Sequence, residues 1–271
     1  MQKTLPVIIL PMLLSSQIAW ADDSVPRLEW ELGAALAALQ IPLYPGSASS
    51  KQYLLPLPYA KLHSEFLDVD EGVRAKLLRS TEVRLSLSAD LGVPVSSDDS
   101  RARKDMPNLH TVFQVGPLLE ITLAGSRYKS WDLRFELPAR MAFATDLYTA
   151  DNLGWIYEPR ISYEKRRMLN AGLAWQMTAG VRYASASYHA YYYDVPVAFA
   201  TATRAQFSAG SGFSGGFADV TAAWREDSMI YWAFVRYQNL SGAVFENSPL
   251  VEQKDYYFFG LGLSWIFAHS L

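Results

Sequence analysis

Glu120, Asp132, Arg134, Glu136, Arg140, Glu158, Arg160 and Arg182 stand on the polar phase of segments whose alternate positions are apolar. Glu29, Glu31, Arg84, Asp90, Glu164 and Arg236 fall on the same face of their own segments. Two kinds of chemistry suit such a mixed face. Opposite charges removed from bulk water can neutralise one another in a hydrogen-bonded network that fills a narrow interior. Alternatively, they can line a small channel and set its selectivity. The paired network is the preferred reading, with the channel as the alternative.

Other reactive groups form weaker patterns. His63, His110, His189 and His269 sit in no recognisable nucleophile or acid-base constellation, and Asp98-Asp99 lies in a Ser-rich stretch typical of an exposed loop. No catalytic site and no enzymatic activity are expected. Asp68, Asp70 and Glu71 beside Gly72 offer oxygen ligands but lack calcium-loop spacing, so neither metal nor cofactor is expected. Arg101, Arg103 and Lys104 are candidates for lipopolysaccharide phosphates, diluted by Asp98, Asp99 and Asp105. Lys165, Arg166 and Arg167 form a like-charge run at an expected periplasmic turn, where they are a candidate docking surface for an acidic partner. The absence of cysteine rules out thiol catalysis and disulfides, and a net charge of −3 gives a nucleic-acid partner no support.

The elements that position these groups have a period of two. In the last segment Tyr257, Phe259, Leu261, Leu263, Trp265 and Phe267 alternate with Gly260, Gly262 and Ser264. A stripe that is apolar on one side and small on the other suits a transmembrane barrel strand, with lipid outside and a narrow lumen inside. Val83 to Val93 and Trp131 to Met141 repeat the pattern, and further strands are expected at Leu28–Leu36, Val115–Leu123, Trp155–Tyr163, Leu173–Tyr183, Gln206–Trp224 and Met229–Tyr237. Aromatic residues near strand ends, among them Trp131, Trp155, Tyr163, Trp175, Tyr183, Trp224, Tyr237 and Trp265, fit two interfacial girdles. A soluble β-sandwich is disfavoured, because its strands average about five or six residues and its outward face is not the aromatic one.

Lys3 followed by an apolar run and Ala19-Trp20-Ala21 reads as a secretory signal peptide over residues 1–21, leaving 22–271 as a single barrel domain. Tight turns near Gly125–Lys129, Arg166–Asn170 and Glu226–Ser228 are expected in the periplasm. Long loops near Val95–Leu109, Thr145–Leu153, Ser185–Arg204 and Ser241–Lys254 are expected outside. The loop from Tyr188 to Thr203, with Tyr191-Tyr192-Tyr193, either presents an aromatic contact surface or folds inward as a plug. Two further segments, Tyr53–Leu67 and Val73–Leu78, alternate poorly and bring the count of strands to eleven. Barrels of this kind have an even number, so a twelfth is placed within Ile41–Leu67, where Pro42, Pro45, Pro56 and Pro58 obscure the pattern.

Several segments in fixed order carry a family resemblance: Trp30-Glu31-Leu32-Gly33, Tyr44-Pro45-Gly46-Ser47, Leu55-Pro56-Leu57-Pro58-Tyr59, Asp98 to Leu109 leading into Gly116-Pro117, Asn247-Ser248-Pro249-Leu250, and the closing strand. Together they resemble the MipA/OmpV family of outer-membrane proteins. The chain differs in running on through Ala268-His269-Ser270-Leu271 after its last aromatic residue. The resemblance implies an antiparallel up-and-down barrel in the outer membrane of a Gram-negative bacterium, in contact with its lipid and lipopolysaccharide. It also implies a scaffold for murein synthesis, bridging a lytic transglycosylase and a bifunctional murein synthase. A narrow channel for small solutes is the alternative.

Overall fold

A computed structural model describes residues 29–63, 67–69, 73–79, 82–126, 130–146, 148–168 and 172–270. The expected signal peptide lies outside the described residues, as do the side chains of Asp68, Asp70 and Glu71. Thirteen strands share one antiparallel sheet. They are β1 (Glu29–Pro42), β2 (Ser50–His63), β3 (Leu67–Val69), β4 (Val73–Arg79), β5 (Val83–Leu91), β6 (Thr111–Gly125), β7 (Trp131–Thr145), β8 (Ala150–Tyr157), β9 (Arg160–Met168), β10 (Leu173–Ala184), β11 (Gly212–Glu226), β12 (Met229–Asn239) and β13 (Asp255–His269). One helix, α1 (Ala186–Tyr193), lies in the connection between β10 and β11.

Neighbours in sequence pair, β13 returns to β1, and β10 pairs with β11, so the ladder runs in a closed cycle. β8 and β9 are consecutive stretches of one position in that cycle, since both lie between β7 and β10. The interruption falls where Pro138 and Pro159, which lack N–H donors, meet in neighbouring rungs. The cycle therefore has twelve positions, one of them filled by the three-residue β3.

Several boundaries differ from the sequence reading. The Ala-rich end of the first segment is strand, because β1 pairs on both sides through Gln40. The long loop expected at Thr145–Leu153 is short, since Thr145 pairs with Ala150 and a bulge at Ala142/Phe143 absorbs the offset. Conversely, β9 continues to Met168, through what was expected to be the start of a turn.

Among the described residues the outer face is largely apolar. Leu36, Leu54, Leu87, Val220, Val235, Leu261 and Leu263 are all exposed, as a lipid-facing belt requires. Aromatic pairs mark its two edges. Trp131–Tyr163 at 6.0 Å, Tyr163–Trp175 at 5.3 Å and Trp224–Tyr231 at 5.6 Å lie toward the tight turns. Tyr183–Phe213 at 5.6 Å and Tyr237–Tyr257 at 5.0 Å lie toward the long connections.

Inside, the small face of β13 has a specific use. A Cβ on Gly262 would lie 2.6 Å from the Leu36 carbonyl oxygen and 2.6 Å from Cε2 of Trp232. The bare backbone is what lets the Trp232 indole lie across it. Gly262→Val is expected to destabilise the barrel by about 1–3 kcal/mol through overpacking, read as a lower urea midpoint for the heat-shifted gel band.

Candidate functional site: the charged lumen and its cap

Period-two alternation turns one row of each strand inward, and on β5, β7, β9 and β10 that row is largely polar. Asp132, Arg134, Glu136 and Arg140 all project inward from β7 and are buried. Arg134 Nη1 donates to Glu164 Oε2 at 2.8 Å and contacts Asp132 Oδ1 at 3.2 Å, while its Nε donates to Glu136 Oε1 at 3.2 Å. Arg166 Nη2 donates to Asp132 Oδ2 at 2.9 Å and Glu164 Oε2 at 2.7 Å. Glu136 passes the network on by accepting from Arg160 Nε at 2.7 Å.

Glu158 is the next centre. It accepts from Arg182 Nε at 2.8 Å and Arg160 Nη1 at 3.5 Å, with Arg236 Nη2 at 3.9 Å. Arg236 also lies 3.9 Å from Asp219 and stacks over the Phe217 ring at 3.9 Å.

Six of the eight residues singled out from sequence thus meet in one network. Arg140 instead faces Asp90 at 3.7 Å and Ser88, and Glu120 faces Arg84 at 3.7 Å. Asp219 was missed. The signal for it is Thr221 and Ala223 on the same phase of β11, both buried.

Of the three residues of the expected docking turn, Arg166 lies inside the barrel. Because β9 runs on to Met168, residues 162, 164 and 166 share the inward phase, and the Arg166 guanidinium is committed to two buried carboxylates. Lys165 sits on the outward phase, in register with Trp131 and Trp175 of the aromatic girdle. The Arg167 side chain lies outside the described residues.

Apart from Glu31, which accepts from Arg225 Nη1 at 2.8 Å and from the Tyr59 hydroxyl at 3.0 Å, the described interior on the opposite side is largely apolar, which the sequence reading did not anticipate. Leu39 and Ile41 from β1, Ile230, Trp232 and Phe234 from β12, and Ile266 form a buried cluster against Tyr53, Leu55 and Leu57 of β2. The lumen therefore has one charged wall and one greasy wall.

Above it, at the end of the long connections, the loops lock together. Tyr193 stacks on Phe245 with centroids 3.7 Å apart, donates its hydroxyl to the Pro45 carbonyl at 3.0 Å, and accepts at its own carbonyl from Ser248 Oγ at 2.7 Å. Tyr44 donates to the Leu250 carbonyl at 2.9 Å, and burial pushes its phenol up to about 12. Arg103 is buried and donates to the Tyr192 carbonyl at 2.9 Å, so it is not free for lipopolysaccharide; Arg101 and Lys104 are exposed. Leu43, Val95, Met106, Leu109, Leu240 and Leu250 complete the core of this cap. Of the two possibilities for the tyrosine loop, the inward fold is the one adopted.

The histidines are dispersed. His110 and His269 are exposed, and the His63 side chain is outside the described residues. His189 is fully buried in the cap, with Nδ1 2.7 Å from the Gly210 carbonyl and Nε2 2.6 Å from Ser214 Oγ. Burial pushes its imidazole below the ordinary value, with Arg182 acting in the same direction and the Gly210 carbonyl opposing. The stabilisation from neutral His189 is therefore complete above the unfolded value of about 6.5 and is lost as pH falls from there toward the folded value. Protection factors across residues 186–214, taken against the intrinsic exchange rate at each pH, are expected to fall between pH 7.5 and pH 5, and His189→Asn is expected to flatten that dependence.

The segments that carried the family resemblance converge in the cap: Tyr44 and Ser47, Arg103 with Met106 and Leu109, and Ser248 with Leu250. The family model described as MltA-interacting protein MipA matches residues 32–267. The chain belongs to the MipA family. Its sheet is also similar to the outer membrane protein OprG from Pseudomonas aeruginosa, at 9% identity, over 89% of this chain and 94% of that one, with a TM-score of 0.22. Comparison with curated proteins gives no match. This MipA-family chain is an outer-membrane barrel protein whose interior combines an ion-pair network, an apolar wall and a loop cap.

Proposed function

We propose that this MipA-family barrel is a non-enzymatic scaffold in the outer membrane of a Gram-negative bacterium. It would hold murein-hydrolysing and murein-synthesising enzymes together through its periplasmic face. The observation that carries this reading is the filling of the interior. Asp132 is 0% exposed, Glu120 2% and Glu158 3%, so charges that would line a conducting path are almost wholly covered by neighbouring protein atoms. A filled and capped barrel has its surfaces left for function, and the family's description, MltA-interacting protein, names another protein as the partner. The paired charges then serve specificity of fold rather than conduction.

Exposed residues at the tight turns, such as Glu226, Asp227 and Ser228, belong to the face offered to such partners. The test is capture of a purified lytic transglycosylase and a bifunctional murein synthase by the folded barrel in vesicles. Joint capture of both enzymes supports a bridging scaffold; failure to retain either one refutes it.

A further inference from the structure

Lys165 places a positive charge on a face that is otherwise left to lipid. Alternation along β9 turns Ile161, Tyr163 and Lys165 outward, while Ser162, Glu164 and Arg166 point in. Among the residues whose side chains are described, Lys165 is the one lysine or arginine on the outward row of any strand. Arg84, Arg134, Arg140, Arg160, Arg182 and Arg236 all face carboxylates of the lumen instead. Lys165 is half-buried and has no ion pair among the described residues. The acidic residues beside it in sequence and register, Glu164 and Asp132, are turned inward and held by Arg134 and Arg166. An outward cation is tolerated only near a membrane interface, so its partner has to come from outside the barrel.

Three strands set its surroundings in rows. At the tight-turn end Trp131 of β7, Lys165 and Trp175 of β10 are in register. The next outward row is Leu133, Tyr163 and Met177, and the one beyond it is Phe135, Ile161 and Ala179. The Tyr163 ring lies 6.0 Å from Trp131 and 5.3 Å from Trp175. The first row therefore holds one ammonium between two indoles, and the third is wholly apolar. Rows lie two residues apart, roughly 7 Å along a strand and less along the membrane normal, whereas the polar interface of one leaflet is about 5–7 Å thick. The ammonium thus sits at headgroup depth when the third row lies among acyl chains.

We propose that Trp131, Tyr163, Lys165 and Trp175 form a site for the headgroup phosphate of an anionic phospholipid in the leaflet at the tight-turn end of the barrel. Lysine binds phosphate as a point charge, and a single cation without a carboxylate beside it selects for net negative charge. Indole and phenol rings at this depth present an apolar body to the chains and a polar edge to the headgroup. The rows led by Leu133 and Phe135 then receive the first methylenes of the acyl chains. The outward row faces the bilayer rather than the periplasm, which favours a lipid over an acidic protein segment as the occupant.

Photolabelling with two lipids tests this. The folded protein, verified by its heat-shifted band, is placed in phosphatidylcholine vesicles with a trace of diazirine-bearing phosphatidylglycerol or, in parallel, of diazirine-bearing phosphatidylcholine, and adducts are mapped to peptides by mass. Peptides carrying Trp131, Tyr163 and Trp175 are expected to take more phosphatidylglycerol by about fivefold, equivalent to about 1 kcal/mol for one lysine at an anionic headgroup. The girdle pair Trp224–Tyr231, whose strands carry no described outward cation, is the reference within the same molecule and is expected to show no such preference. Lys165→Gln is expected to abolish the preference and Lys165→Arg to keep it; if the glutamine variant does not fold, Lys165→Met replaces it. Equal labelling by the two lipids at both girdles overturns the proposal, as does a preference that survives Lys165→Gln. Loss of the preference on adding soluble glycerol phosphate overturns it too, since the ligand would then be a free phosphate.

Discussion

Replacing Arg134 by methionine is expected to lower the stability of the folded barrel by about 3–5 kcal/mol, the range found when one partner of a buried ion pair is removed. The size of the effect follows from connectivity. Arg134 touches all three of the buried carboxylates Asp132, Glu136 and Glu164, whereas Arg166 reaches two of them and Arg160 one. The lost methylene packing is largely replaced by methionine, so the deficit isolates the stranded carboxylates. The urea midpoint of the heat-shifted band in vesicles reads the loss. Adding Glu164→Gln to Arg134→Met is expected to restore part of it, because one orphaned charge disappears with its partner. A single variant as stable as the wild type would show that these carboxylates are hydrated, and hence that the lumen is open to water.

The second large effect is expected from Phe245→Ala. Phe245 is 1% exposed, lies flat on Tyr193 at 3.7 Å, and has the His189 ring at 4.8 Å. It joins the connection after β12 to the one carrying α1. Truncating a buried phenylalanine costs about 3–5 kcal/mol where the site cannot collapse. Here the cost falls on the cap, because strands β1 to β13 keep their own ladders. Limited proteolysis should therefore cut residues 186–211 faster in the variant, while the heat-shifted band of the barrel persists. Loss of that band would instead show the cap to be part of the barrel's own folding unit.

Legibility in the sequence followed the physics of each feature. The charged wall was readable from one-dimensional alternation, since Asp132, Arg134 and Glu136 share a phase that Trp131, Leu133 and Phe135 contradict. The inward place of Arg166 was not legible, because the end of a strand is set by its partners: Ser130 accepts the Arg166 N–H at 2.7 Å, and Met168 pairs with Leu173 of β10. The apolar wall escaped because both faces of β12 are greasy. Ile230, Trp232 and Phe234 point inward, whereas Tyr231, Ala233 and Val235 point outward. The direction of that strand was carried by Gly260 and Gly262 on the next one.

The cap was hidden for a different reason. Arg103 meets Tyr192 across 89 residues, and Tyr44 meets Leu250 across 206. No local period encodes such contacts, although the order of the short segments marked which loops matter. Pro56 and Pro58 obscured the strand pattern of β2.

The most direct test of a filled, capped barrel is planar-bilayer conductance of the purified protein, with the heat-shifted band verifying that the inserted sample is folded. The ion-pair network and the Tyr193–Phe245 cap predict reproducible silence at moderate voltage and neutral pH. Steady, ion-selective openings from the folded protein would contradict that prediction and make the lumen charges a selectivity wall.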